Sequence, residues 1–269
     1  MRRGFYVSVD GLVTADDRRF YRTIRGGYVP ADALIEASPP AFRGVVLGGR
    51  WSLPLGFVFR GGVRTLVRDS ARGVLDLGDP VERTTPLPLS SELIERGGRR
   101  YRVSDRGVIV REDALRIARP LARPAGIPEG ARWIHVDVAQ QIVVAYEGDR
   151  PVFATMVSTG RQGFDTPTGT FRIQSKHVST TMDDPDAGAE AYSIEDVPWT
   201  MYFEGSYAIH GAFWHDRFGH RRSHGCVNLA PADARWIFQW SEPALPAGWH
   251  GMSSGRGEGT FVHVTSEAR

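Results

Sequence analysis

The segment Arg119 to Gly130 restricts the fold more than any other part of the chain. It places three prolines and two glycines within twelve residues. Proline lacks an amide proton and fixes φ, so such a stretch continues neither a helix nor a central strand. It predicts a linker or extended strap, residues 119–130, between a first part at 1–118 and a second at 131–269. The whole chain has 269 residues, enough for two domains of ordinary size.

The first part reads as a smaller β-rich domain. Phe5 to Asp10 alternates like a strand, with Phe5, Val7 and Val9 on one face. An approximate repeat follows. Tyr21-Arg22-Thr23, Gly27-Tyr28-Val29 and Asp32-Ala33-Leu34 are echoed by Tyr101-Arg102-Val103, Gly107-Val108-Ile109 and Asp113-Ala114-Leu115. Each copy predicts a strand, a turn, a second strand and one helical turn. These hairpin patterns are similar to bacterial SH3-like domains, and they fit a recognition role and a purely structural role equally well.

The second part is mainly β as well. Trp133 to Val138 and Gln141 to Tyr146 read as strands, Glu147 to Arg150 as a turn, and Val152 to Ser158 as the returning strand. Further strands are expected at Thr170 to Gln174, Tyr207 to His210 and Phe261 to Val264. Only Ala230 to Trp240 reads as a firm helix, with Pro231 in its first turn and Asp233 at its positive end.

Charge excludes some partners. The 33 basic and 31 acidic side chains give a net charge of +2. Although Arg96 to Arg102 is locally basic, nothing calls for a nucleic-acid partner. Lys176 is the only lysine, which reads as coding bias. No apolar stretch approaches the ~20 residues of a membrane helix. Met1-Arg2-Arg3-Gly4 has positive charge but no apolar region behind it, so no export signal is visible in this chain.

Cys226 is the only cysteine. A lone cysteine is usually a small buried hydrophobe, but its neighbours, Ser223-His224-Gly225-Cys226-Val227-Asn228, suggest otherwise. A cysteine attacks as the thiolate, which requires a nearby base or a lowered pKa. A flanking glycine allows a tight turn that exposes amide donors to a developing oxyanion. Sixteen positions upstream, Tyr207-Ala208-Ile209-His210-Gly211 ends a strand in a histidine. That distance allows strand, loop and return, so imidazole and thiol can meet.

Three segments, in order, resemble the L,D-transpeptidase (YkuD) family. They are Asp165-Thr166-Pro167-Thr168-Gly169-Thr170-Phe171, Ile209-His210-Gly211, and Ser223-His224-Gly225-Cys226 with Asn228. The resemblance covers roughly residues 131 to 266 and implies a β-sandwich catalytic domain. It implies Cys226 as nucleophile, His210 as base, and Gly211 orienting His210 through its carbonyl. The Gly225 and Cys226 amides would form the oxyanion hole. Tyr192 would lie beside it, with Tyr202 and Tyr207 competing for that place. Ser223, His224 and Asn228 would shape the loop, although many members carry arginine at the Asn228 position. Apart from the resemblance, His215 and His220 read as polar residues of a substrate-side loop, where Trp214 either lines the cleft or packs as a structural residue.

The implied reaction is transfer on peptidoglycan stem peptides through a Cys226 thioester. The acceptor would be a second stem amine, a lipoprotein lysine, a D-amino acid or water. An exported protein of the periplasm or cell wall is then expected. Two alternatives remain: a carboxypeptidase-type hydrolase of the same stems, and a wall-binding protein without catalysis. A zinc reading of His210, His215, His220, His224 and Cys226 lacks the usual ligand spacing. No metal, nucleotide or flavin motif is present, so no cofactor is expected. His135, His177, His250 and His263 read as structural.

Overall fold

The computed structural model describes residues 5–69, 74–184 and 191–266. The reading of Met1 to Gly4 lies outside the described residues.

The run Ile142 to Tyr146 is apolar at every position, which marks a strand buried on both faces. The structure places it accordingly. One six-stranded sheet runs in the order Gly169–Arg172, Phe261–Thr265, Arg132–Asp137, Ile142–Glu147, Arg150–Met156, Val45–Val46. One face of this sheet contributes Ile134, Val136, Val143 and Ala145 to a core shared with Met201, Phe203, Ile209, Val227 and Leu229 of a second sheet. The other face contributes Trp133, Val144, Tyr146 and Met156 to a core shared with Phe42, Leu55, Phe57 and Ile127. Trp133 stacks on Tyr146 at 4.1 Å and donates from Nε1 to the Gly148 carbonyl at 2.7 Å. The sandwich therefore forms only one side of what this sheet buries.

The second sheet runs Val227–Leu229, Tyr207–Gly211, Tyr192–Glu204, Ser175–Asp184, Gly251–Ser253. Its long hairpin, Ser175–Asp184 with Tyr192–Glu204, is not evident in the sequence. Pro198 and the polar runs at Ser179-Thr180-Thr181 and Glu195-Asp196 interrupt the alternation that marks strands elsewhere. The helix Pro231–Trp240 starts with proline, as expected, but Asp233 does more than face a helix dipole. Its buried carboxylate accepts the Gly44 amide at 2.9 Å and the Thr155 hydroxyl at 2.5 Å. Burial pushes its pKa up to about 6 against those two hydrogen bonds. Lys176 is also buried, and its ammonium donates to the carbonyls of Phe238, Ser241 and Pro243 at the helix C-terminal end, where cations are favoured.

In the first part, a seven-stranded sheet has the order Leu115–Ala118, Leu55–Val58, Pro86–Arg96, Arg99–Ser104, Ile109–Arg111, Val63–Asp69, Val74–Val81. A separate three-stranded sheet holds Val9–Ala15, Arg18–Thr23 and Tyr28–Pro30. The repeated motif folds alike in both. Its helical turns are short 3-10 turns at Ala31–Ala33 and Glu112–Ala114. They follow residues at φ/ψ −52/133 and −58/131 and precede residues at −117/148 and −110/147. The two copies lie in different sheets.

Residues 119–130 carry no helix or strand. They form a packed strap: Ile127 is buried, and the Leu121 amide donates to the Tyr146 hydroxyl at 3.1 Å. Strands preceding the strap join the sheets of the second part. Val45–Val46 pairs with Arg150–Met156, and Phe5–Tyr6 pairs in parallel with Ser193-Ile194. The expected continuous strand from Phe5 to Asp10 breaks at Val7-Ser8, because Val9 onward changes partner to Arg18–Thr23.

Candidate active site

The site lies where two short parallel strands meet. Tyr207–Gly211 pairs with Val227–Leu229 in the register Ile209↔Val227, His210↔Asn228, Gly211↔Leu229. Ile209, Val227 and Leu229 point into the core. Alternation sends His210 and Asn228 to the opposite face, and Cys226, two positions before Asn228, comes to the same side. A cleft of about 550 Å³ is lined there by Cys226, His210, Asn228, Trp214, Tyr192 and His224, among others.

Two tight contacts shape the cysteine loop. Gly225 adopts φ +115°, and a side chain on it would meet the Tyr207 ring at 2.3 Å, so only glycine fits. Ser223 Oγ accepts the Gly225 amide at 3.1 Å and donates to the Cys226 carbonyl at 2.5 Å. The Gly225 amide, expected to face an oxyanion, is thus donated within the loop. Thr166 secures the loop from outside: its hydroxyl accepts the Gly160 amide at 3.0 Å and donates to the Gly225 carbonyl at 2.7 Å.

The thiol and imidazole are both neutral at rest. Burial pushes Cys226 up to about 11, and its Sγ donates to the Ser206 carbonyl at 3.7 Å. His210 is buried, and burial lowers it to about 4. Its Nδ1 donates to the Gly211 carbonyl at 3.2 Å, which leaves Nε2 as the unprotonated nitrogen. Trp214 stacks on the His210 ring with centroids 5.7 Å apart. A neutral thiol and a neutral imidazole that line one cleft have the protonation states that general-base activation of a thiol requires.

His224 stands differently. Its Nε2 accepts from the Arg161 guanidinium at 3.0 Å, its ring stacks on Tyr192 at 5.0 Å, and Phe164 meets it edge-on at 4.7 Å. Tyr207 lines the cleft and packs on Gly225, while Tyr202 lies close enough to Cys226 for that thiol's charge to raise its pKa, after burial. Of the three tyrosines considered from sequence, Tyr192 and Tyr207 line the cleft, whereas Tyr202 packs edge-on against His177 at 5.8 Å. His215 joins the cleft through Asn228, whereas His220 packs edge-on against Phe59 at 5.0 Å, away from it. Of the other histidines, His135 meets Thr265 at 2.9 Å and His263 meets Thr170 at 2.8 Å.

Sequence reasoning did not assign Tyr6, Phe164 or Ile194 to the cleft, yet they line it. Tyr6 packs edge-on against Phe213 at 5.6 Å and lies 6.1 Å from Trp214. It arrives through a parallel pairing with residues nearly two hundred positions away, which no local pattern announces.

Residues 131–264 match the family model described as the L,D-transpeptidase catalytic domain (YkuD). YciB of Bacillus subtilis (strain 168), whose name assigns it provisionally to the L,D-transpeptidases, is 26% identical over 121 residues. That match covers 40% of this chain, and the chain spans only 59% of that protein's length. Among solved structures, an L,D-transpeptidase from Mycobacterium smegmatis is 17% identical, with 98% of this chain and 94% of that one covered and a TM-score of 0.42. An L,D-transpeptidase from Stackebrandtia nassauensis is 22% identical, covering 52% of this chain and 58% of that one, with a TM-score of 0.36.

Proposed function

Residues 131–264 belong to the L,D-transpeptidase catalytic-domain family, and we propose on that premise that the chain is a cysteine-dependent transferase acting on peptidoglycan tetrapeptide stems. Cys226 Sγ attacks the carbonyl of the third stem residue, a diamino acid. His210 Nε2 takes the thiol proton as the carbon–sulfur bond forms. The tetrahedral intermediate collapses, the bond to D-alanine breaks, and His210 returns the proton to the leaving amine. The amine of a second stem then attacks the thioester, which forms a 3–3 cross-link and regenerates the thiol. A lipoprotein lysine or a D-amino acid is an equivalent amine acceptor, and water gives the hydrolysed tripeptide. Such a substrate places the working enzyme outside the cytoplasmic membrane, in the periplasm or cell wall.

One observation carries this reading. His210, in the strand Tyr207–Gly211, and Cys226, in the loop just before the paired strand Val227–Leu229, open into a single cleft, and Gly211 fixes the tautomer that leaves His210 Nε2 unprotonated. In this reading the Cys226 amide serves as the backbone donor to the developing oxyanion. The Gly225 amide adds a second only by leaving Ser223 Oγ.

Incubation with purified tetrapeptide muropeptides, followed by mass spectrometry, tests the proposal. Dimers lacking one D-alanine are expected, with loss of all turnover in Cys226→Ala. A carbapenem adduct on Cys226 provides a second readout. Free tripeptides alone would establish hydrolysis instead. Wall binding that survives Cys226→Ala, with no acyl adduct on the native protein, would establish a binding module.

A further inference from the structure

Two adjoining cavities outside the catalytic cleft are walled by arginine. The first, of about 510 Å³, is lined by Arg60, Arg99, Arg100, Arg111, Arg116 and Arg119, with Glu112 and Asp113 as its only lining carboxylates. Six guanidinium groups thus face two carboxylates, an excess of four positive charges. The second, of about 660 Å³, shares Phe59, Arg60 and Arg116 with the first and adds Arg83 and Arg217 against Asp216.

The carboxylates present are already shared. Glu112 receives Arg102 at 2.9 Å and Arg100 at 3.5 Å, while Asp113 holds Arg111 and also Arg60 at 4.0 Å. Arg116 lies 3.9 Å above the Phe59 ring and donates to the Gly219 carbonyl at 2.7 Å, and Arg60 sits 5.4 Å from the same ring. Burial and then Arg60 lower the Arg116 pKa, and burial and then Arg102 lower that of Arg119. Like charges are therefore held together, four of them on strands and Arg60 and Arg119 on the adjoining segments, and an anion placed among them relieves their repulsion. A guanidinium fork binds oxyanions in bidentate fashion. A single carboxylate leaves most of the excess charge uncompensated, whereas a multivalent phosphate matches it.

We propose that the joined cavities form a binding site for a multivalent phosphate, of the diphosphate class, on the opposite side of the His215–His220 loop from Cys226. Neither the site nor its test depends on the transferase chemistry.

Calorimetric titration of the full chain with inorganic pyrophosphate tests this, with orthophosphate and tricarballylate as comparisons. Saturable pyrophosphate binding is expected, tighter than that of either comparison ion. Arg60 and Arg99 are exposed, so Arg60→Gln and Arg99→Gln should fold normally and weaken binding about tenfold each. Arg19→Gln, exposed in the separate three-stranded sheet, and Cys226→Ser should bind as the parent does. The proposal is overturned if no saturable binding occurs, or if Arg19→Gln weakens it as much as Arg60→Gln, which would mean bulk charge alone. Tricarballylate binding as tightly as pyrophosphate would assign the site to carboxylates and also defeat it.

Discussion

The side-chain amide of Asn228 lies 3.2 Å from His215 Nε2, and the rest of that ring decides which amide atom faces it. His215 Nδ1 accepts the Arg217 amide at 3.3 Å, and burial lowers the ring's pKa to about 4. A neutral ring with Nδ1 as acceptor carries its proton on Nε2, so Asn228 presents its oxygen to His215. That orientation satisfies the buried oxygen, which otherwise lacks a partner. The amide NH2 then takes the buried position on the far side of the amide, in a residue paired in register with His210.

His215→Ala removes the donor that holds this orientation. The expected result is about a tenfold slower acylation of Cys226 by a carbapenem, the loss of about one hydrogen bond to a buried group, with a melting temperature lower by about 2–4 °C. His215→Gln, which keeps a donor, should recover part of the rate. Equal rates in all three proteins would remove His215 from the site.

The neutral thiol–imidazole pair sets the pH response. With His210 lowered to about 4 and Cys226 raised to about 11, transfer should lose its base as pH falls through about 4 and stay level across neutrality. In His210→Ala, alkylation of Cys226 by iodoacetamide should rise about tenfold per pH unit until the thiol titrates. Fast alkylation of the parent protein already at pH 5 would indicate a preformed thiolate–imidazolium pair and refute the scheme.

Gly225→Ala should abolish turnover and lower stability by about 2 kcal/mol or more, through left-handed backbone strain and overpacking together. The new methyl would stand 2.3 Å from the Tyr207 ring at φ +115°. Tyr207→Ala in the same chain should recover part of the stability, since it removes the clash and leaves the strain. Thermal melts of the single and double variants measure the difference.

Asp233 links the two parts of the chain. Asp233→Ala leaves the Gly44 amide and the Thr155 hydroxyl without their acceptor, at a cost of about 2–4 kcal/mol. The wild-type carboxyl has a folded pKa of about 6, above the ordinary aspartate value of 3.8. Its contribution is therefore full at low pH and declines as pH rises through 6. Asp233→Asn should remove that dependence, which melting curves between pH 4 and 7.5 would reveal.

Much of this was legible in the sequence, where it depended on neighbours along the chain. The β-branched apolar run Gln141 to Tyr146 announced a strand, and the repeated Asp-Ala-Leu segments announced matching turns. Cys226 and His210 stood out through their flanking glycines. What stayed hidden depends on distant pairing. Tyr6 reaches the cleft only through Ser193-Ile194, and Val45–Val46 extends a sheet whose next strand begins at Arg150. The hairpin from Ser175 to Glu204 takes its stability from the core beneath it, so its sequence need not alternate strictly. The Gly225 amide shows the same limit at atomic scale. Its glycine was evident, but its donation to Ser223 was not.

Lys176 has a further bearing on such chemistry. An enzyme whose intermediate is resolved by amines is exposed to capture by amines of its own. This chain has one lysine side chain, buried beneath the helix Pro231–Trp240 with three carbonyls around its ammonium. No lysine on its surface can intercept the thioester of a neighbouring copy, and the arginines in their place do not act as acyl acceptors. The same burial makes Lys176 a reporter of opening: amine-reactive labels should reach it only when the helix end unfolds.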